Sequence, residues 1–350
     1  MRRMRRTLVP VLLLVAWTSA ALAAGDAVVQ RLTRAGVALA QALGDGGPGR
    51  YGFEDEERFD LRLAPFRLDG LALRDMSSEQ RANLWQAVDA PLSSVGREKI
   101  RTIMSLEREV ARAEREAGTL GRLAAWAMDR DPEAYYLTLY GEPGSDAAWG
   151  YRFDGHHVSL NVTAVPGELP AVTPLFLGGQ PRRVPEGWER AGLQVLAEQE
   201  DLARSLYSAL DSSSRVAASL PYAGDRDLML GTARRMAELP TGRGVARADL
   251  VPAQQASLNA LLESYLGLLD PELAAARRAE IDLDGRDEIR FAWAGDAQPG
   301  APHYYRLQGP SFLIEFDNTL EGADHIHVMW RDPRRDYGMD LLDAHRSRAH

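Results

Sequence analysis

Two pairs of segments repeat along this chain at fixed spacings, and they restrict its fold more than any other feature. Gly70-Leu71-Ala72 leads into Asp75, Gln80, Ala82 and Leu84; Gly244-Val245-Ala246 leads into Asp249, Gln254, Ala256 and Leu258, 174 residues later. Tyr151-Arg152-x-x-Gly155 is echoed 154 residues on by Tyr305-Arg306-x-x-Gly309. At that offset Val158, Leu160 and Val162 correspond to Phe312, Ile314 and Phe316, and Leu139 and Gly141 to Trp293 and Gly295. Each copy reads as a helix, a second helix and a β-hairpin, because helical spacing of apolar residues gives way to strict alternation. The expected fold is therefore α+β, with internally duplicated helix-helix-β-hairpin halves around a mainly antiparallel sheet. The halves span about 70–165 and 244–345, joined by a loop and helices over 166–240, within one domain at 50–350.

Both copies carry helix-start signals. Ser77 or Asp75 can accept free N–H groups in the first copy and Asp249 in the second. There Pro252 sits in the first turn, where a missing donor costs nothing. Trp188 to Leu210 is expected to be helical, with leucines on one face. Ala27 to Leu43 has helical spacing and ends at Gly44-Asp45-Gly46-Gly47-Pro48-Gly49, so 24–49 reads as a helix and a glycine-rich linker. The charged stretch Tyr51 to Pro65 reads as a strand pair or an extended arm. Asp282-x-Asp284-Gly285 lacks the full calcium-loop spacing and reads as a turn opening the second hairpin.

Residues 1–23 have the form of a secretory signal peptide. Arg2, Arg3, Arg5 and Arg6 precede the apolar run Leu8 to Ala16, which is too short to span a bilayer, and Ala21-Leu22-Ala23 suits cleavage. The expected location is periplasmic or secreted, with no membrane anchor after cleavage. Losing that segment moves the net charge from −9 to −13, a poor balance for binding nucleic acid. The chain has no cysteine, which excludes disulfides, thiol nucleophiles, iron–sulfur clusters and Cys-type zinc sites.

The chemistry-bearing residues gather near the C-terminus. Three of seven histidines, His325, His327 and His345, follow Glu315-Phe316-Asp317-Asn318-Thr319 within a short span. On a strand His325, His327, Met329 and Arg331 alternate with Ile326, Val328 and Trp330. Histidines at i and i+2 lie about 6.6 Å apart along the strand, close enough for both rings to reach one ion. The repeat register puts His157, Ser159 and Asn161 on a face equivalent to that of Glu315 and Asp317, and His156 precedes them. The candidate metal ligands are His157, His325, His327 and His156, with a divalent transition metal (Zn, Cu, Fe or Mn) as the implied cofactor. Glu315 or Asp317 would add a ligand or general base, and Arg331 would hold an anionic group. Two other readings stand beside this one: a polar network in which carboxylates satisfy ring N–H groups, and metal-free hydrolysis by a His–Asp pair with Ser159 or Ser311. No GxSxG or HExxH motif is present.

The run Tyr151-Arg152-Phe153-Asp154-Gly155-His156-His157-Val158-Ser159-Leu160-Asn161 carries a family resemblance. So do Gly309-Pro310 with Ile314-Glu315-Phe316-Asp317-Asn318, and His325-Ile326-His327-Val328-Met329-Trp330-Arg331-Asp332 continued by Asp336-Tyr337-Gly338, Asp340-Leu341-Leu342 and His345. Together they resemble the secreted proteins of domain-of-unknown-function family 3500, over roughly 50–346. That resemblance implies no activity. Asp324 stands where the family pattern implies Asn, adding a carboxylate before the first histidine. The function expected is an exported metal-dependent enzyme, hydrolytic or oxidative, on an unidentified small-molecule or extracellular substrate. The alternative is a periplasmic metal- or ligand-binding protein without turnover.

Overall fold

A two-residue strand begins each of the repeated segments, and both do so in the same way. In the computed structural model, which describes residues 11–61, 69–116, 129–222 and 229–348 (side chains from 27), β2 (Leu71–Ala72) pairs with β3 (Tyr136–Tyr140). Likewise β7 (Val245–Ala246) pairs with β8 (Arg290–Gly295). Leu71 lies opposite Leu137, and Val245 opposite Phe291. Gly70 and Gly244 precede these strands at φ +119° and +112°, and a Cβ on either would strike the carbonyl of Leu137 or Phe291. Only glycine combines that backbone conformation with so close an approach.

The longer strands repeat this agreement. β4 (Trp149–Gly155) and β5 (Val158–Ala164) follow β3; β9 (His303–Gln308) and β10 (Leu313–Leu320) follow β8. Tyr136 faces Asp154, and Arg290 faces Gln308; Asp154 faces Ser159, and Gln308 faces Leu313. Each of these second pairs is the first displaced by 154 residues. β6 (Leu175–Gly179) and β11 (His325–Arg331) then pair antiparallel with each other at the centre. The sheet has eleven strands in the order β1-β3-β4-β5-β6-β11-β10-β9-β8-β7, with β2 also on β3. Only β1 (Arg50–Tyr51) runs parallel to its neighbour, so the sheet is mixed but mostly antiparallel, and the fold is α+β.

Eight α-helices occur among the described residues: α1 (Val11–Leu43), α2 (Ser78–Asp89), α3 (Ser94–Glu116), α4 (Ala197–Ala209), α5 (Ser212–Ala218), α6 (Pro252–Leu266), α7 (Pro271–Gly285) and α8 (Met339–Arg348). Ser77 caps α2 in a capping box with Gln80. In α6 the cap position is Val251, whose N–H donates to Gln254, and Asp249 ends the preceding 3-10 turn instead of capping. The Gln80 and Gln254 amides go on to donate to Ala42 and Ala209, tying each helix to a neighbour at the same place. The helix expected from Trp188 starts only at Ala197, since 188–196 are taken up by turns around Gly192 at φ +83°. Asp282 and Asp284 belong to the last turn of α7, which Gly285 ends in a left-handed conformation; they do not open a hairpin. Of Tyr51 to Pro65, a 3-10 turn covers Glu56–Phe59, and 62–65 lie outside the described residues.

One sheet face forms the main apolar core. Leu137, Phe153, Leu160, Leu177, Val328, Ile314, Tyr305 and Phe291 pack there with helix residues such as Leu84, Ile103, Leu258 and Leu273. Full burial of each large side chain is worth about 1.5–3 kcal/mol, so this layer supplies most of the driving force. The opposite face is also buried but polar. It carries Arg152, Asp154, Asn161, Glu315, Asp317, Arg306 and Arg331. Loop residues close over it, and their backbone groups meet those side chains: Glu57 and Asp60 over Arg152, Leu230 and Gly231 over Glu315. A polar layer excluded from water persists only if its groups are partnered. The candidate site residues lie on this face and at its rim.

Candidate metal centre

His156 and His157 do not start β5 but form the two-residue turn between β4 and β5. His157 sits at φ +64°, a left-handed conformation that histidine tolerates better than most residues. The turn reaches past β6 toward β11. The Gly178 N–H donates to the His157 carbonyl at 2.8 Å, and Gly178 is the strand partner of His327. A Cβ at Gly178 would lie 2.5 Å from His157 Cδ2, so the glycine makes the space the ring occupies.

Four imidazoles therefore converge. His157 Nε2 lies 2.7 Å from His325 Nε2, and His325 Nε2 lies 3.1 Å from His327 Nε2. The rings of His156 and His157 stack at 3.6 Å. His156, His157 and His325 offer nitrogens that all lie within 4.8 Å of one another, so this group could hold a metal ion. Bonds of 2.0–2.1 Å at tetrahedral angles would separate ligand nitrogens by about 3.3 Å, close to the spacings seen.

Carboxylates hold the outer edges of two rings. Glu321 Oε1 is 3.0 Å from His325 Nδ1, and Glu107 Oε1 is 2.5 Å from His156 Nδ1. Such a contact fixes ring orientation and leaves Nε2 of His325 facing inward, as around metal-ligating histidines, whereas Nε2 of His156 is itself 3.2 Å from Arg130 Nη1. Glu321, Gly322 and Ala323 are consecutive left-handed residues, with φ +52°, +66° and +72°. That conformation is costly at Glu321 and Ala323, and it swings the Glu321 carboxylate back onto His325. His156 is further flanked by Arg130, whose Nη1 is 2.8 Å from Nδ1 and which pairs with Glu114 at 2.6 Å. Burial pushes the Glu107 carboxyl up to about 8, against the opposing pull of Arg130. Burial also holds His156 and His157 well below the ordinary histidine range. Arg130 adds to this for His156, and the neighbouring His156 for His157. Both rings are thus neutral at pH 7, with a lone pair available.

Of the other expected site residues, Asp317 stands beside the cluster, and Glu315 and Arg331 lie farther along β10 and β11. Asp317 is the strand partner of His327, and its Oδ1 accepts from the Thr319 N–H and hydroxyl at 2.7 and 2.6 Å. Glu315 lies opposite Met329 and accepts from the N–H groups of Leu230 and Gly231 and from the Tyr304 hydroxyl, at 2.9, 2.7 and 2.6 Å. Arg331 donates to Asp336 and to the carbonyls of Gly231 and Ala233. Ser159 Oγ accepts from Asn161 within the buried face, whereas Ser311, in the turn between β9 and β10, is a contact of Asp284 in the last turn of α7. The His345 side chain lies outside the described residues.

Sequence reasoning missed Glu107, Arg130, Gly178 and Glu321. Glu321 stands four residues before His325, a spacing that could have signalled it. The other three are brought in by α3, the segment before β3, and β6, and nothing local to them announces a site. A family model described as "Protein of unknown function (DUF3500)" matches residues 26–339. The chain belongs to the DUF3500 family. No curated protein and no solved structure matches it.

Proposed function

We propose that this DUF3500 protein is an exported metal-binding protein whose centre is the histidine cluster, with His157, His325 and His327 as ligands through Nε2. The observation that carries this is the chain of three Nε2 atoms at 2.7 and 3.1 Å. A proton can bridge only one pair of these at a time, whereas a divalent cation beside His325 can draw on both of its neighbours. His156 is the weaker ligand. Its Nδ1 is already shared between Glu107 and Arg130, and a guanidinium beside a cation is unfavourable. It serves instead to stack on His157 and tie the turn to α3.

The His325 side chain retains 15% exposure, so one side of the cluster faces solvent. Three protein ligands with an exposed fourth direction suit a catalytic metal, which would supply an activated water for hydrolysis or, if redox-active, handle oxygen. The reading is therefore a metal-dependent enzyme of Zn, Cu, Fe or Mn. One observation favours binding without turnover: Glu315 already accepts three hydrogen bonds, which leaves it little capacity as a general base. Elemental analysis after mild dialysis tests the metal directly. Metal content no higher than in a His325→Ala/His327→Ala control would sink both readings. Solvent-exchange relaxation on the Mn or Cu form separates them, since a bound exchangeable water supports the enzyme.

Residues 1–23 are proposed to direct export. The matching registers of β2–β3 with β7–β8, and of β3–β4–β5 with β8–β9–β10, support an origin by internal duplication. On that reading the histidine centre is an asymmetric addition, because Pro310 and Ser311 stand where the first half has His156 and His157.

A further inference from the structure

Arg152 and Arg306 occupy the same position in the two matching hairpins, yet their surroundings differ in charge. Arg152 is fully buried and its charge is met from within the chain. Its Nε lies 2.7 Å from Asp154 Oδ2, an ion pair poorly angled for a hydrogen bond, and its Nη2 donates to Glu57 at 2.7 Å. Its Nη1 donates to the carbonyls of Glu57 and Asp60. Arg306 is equally inaccessible at 3% exposure, but no ion pair to it occurs among the described residues. Its Nε has no partner, and its Nη2 reaches only the Thr241 carbonyl at 3.5 Å. Asp154 is replaced at the matching position by neutral Gln308, whose Oε1 is also unpartnered. Glu315, the cross-strand neighbour of Arg306, is already committed to Leu230, Gly231 and Tyr304.

The same comparison shows why there is room beside Arg306. Tyr140 in the first half corresponds to Ala294 in the second, and Thr138 to Ala292. Beside Ala294, where the tyrosine is missing, there is a cleft of about 360 Å³, lined by Arg306, Tyr304, Ala294, Leu230, Thr241 and Arg243. That volume falls in the range that encloses a small molecule. Glu315 is close enough for its charge to act on Arg306, but a buried guanidinium with no direct ion pair among the described residues is costly, which favours an anion supplied from outside.

We propose that this cleft binds a small organic carboxylate, which takes on Arg306 the part Asp154 and Glu57 take on Arg152. The carboxylate meets the guanidinium through the terminal Nη groups that border the cleft, since Nε is closed to solvent. The exposed Arg243 adds positive charge at the mouth and draws the anion in. A monovalent carboxylate matches the single buried guanidinium, whereas phosphate, which a guanidinium also grips by two oxygens, brings a second charge that only the exposed Arg243 is there to answer. The site does not depend on the histidine centre.

Calorimetric titration of the purified protein with acetate, succinate and benzoate, and separately with phosphate, tests this. Metal is stripped beforehand with neutral 1,10-phenanthroline, since a polycarboxylate chelator would compete. At least one carboxylate should bind one-to-one, more tightly than phosphate, and His327→Ala should leave that binding unchanged. Arg306→Gln should weaken it at least about tenfold, the loss expected for a charge-assisted contact. Should that variant fail to fold, Gln308→Asp and Ala294→Tyr, which copy the first half, should fold and bind nothing. Failure of all three carboxylates to bind, phosphate binding as tightly as the best of them, or unchanged binding by Ala294→Tyr would each overturn the proposal.

Discussion

His157 and His325, 168 residues apart in sequence, face each other Nε2 to Nε2 at 2.7 Å. A shared proton can bridge only one pair of imidazoles at such distances, whereas His325 Nε2 also has His327 Nε2 at 3.1 Å, and one ion can serve both contacts. A metal ion should therefore raise stability measurably. At an ion concentration of 100 times Kd the gain is about 2.7 kcal/mol, seen as a rise in Tm that a chelator reverses. His325→Ala should remove the metal-dependent part of that shift. Equal Tm with and without Zn, Mn, Cu and Fe would count against the centre.

Gly178 tests the same geometry from the β6 side. Its Cβ would have to share space with the His157 ring, which is held between His156 and His325. Gly178→Ala should push that ring out of register and weaken metal affinity by about 10–100-fold, as the loss of an orienting contact does. The same Cβ would lie 2.8 Å from the Ile326 carbonyl of β11, so a urea melt is run alongside and the affinity loss is read on protein whose circular dichroism matches wild type. Unchanged affinity by competition with a colorimetric chelator would show that His157 is not a ligand.

Much of this was legible in the sequence. The Tyr-Arg-x-x-Gly repeat led to the hairpins because alternation of apolar residues is a local signal, and β4, β5, β9 and β10 carry it clearly. His325 and His327 were found because they share one strand. What stayed hidden depends on the order of strands. Gly178 matters only because β6 lies between the His157 turn and β11, and no residue near Gly178 encodes that neighbour. Glu107 and Arg130 reach His156 from α3 and the segment before β3, a meeting set by how the helices lie on the sheet. The turn at His156–His157 was misplaced into the strand because a two-residue connection without Asn or Gly gives little warning.

Glu315 and Arg331 grip the same residue. The Gly231 N–H donates to Glu315 at 2.7 Å, and its carbonyl accepts from Arg331 at 2.6 Å. Together they fasten the 229–233 loop over the polar face. Glu315→Ala leaves three donors unmatched in a buried place, each worth about 1 kcal/mol or more, so a loss of about 3 kcal/mol is expected. Urea melts read that loss. Metal affinity should fall much less than in His325→Ala; a comparable fall would instead place the Glu315 carboxylate at the centre.

Acid should weaken the fold through His303 as well. This ring stacks on Trp293 at 4.5 Å and on Phe316, donates Nδ1–H to the Ala301 carbonyl, and has no partner for Nε2. Burial lowers its pKa to about 4; the Ala301 bond opposes the shift and Arg204 adds to it, with Glu200 and Arg182 as the other charges that act on it. Because the folded pKa lies below the unfolded value of 6.5, the unfolded chain takes up a proton first. The contribution is complete above pH 6.5 and is lost as pH falls toward 4, a change on the order of 3 kcal/mol. His156 and His157 shift in the same direction, so the decisive quantity is a difference between proteins. His303→Phe keeps the stack and cannot titrate. Its urea midpoint should fall less than wild type between pH 7 and pH 5, both measured with metal removed. A fall equal to wild type would mean that His303 is already protonated, or solvated, in the folded protein.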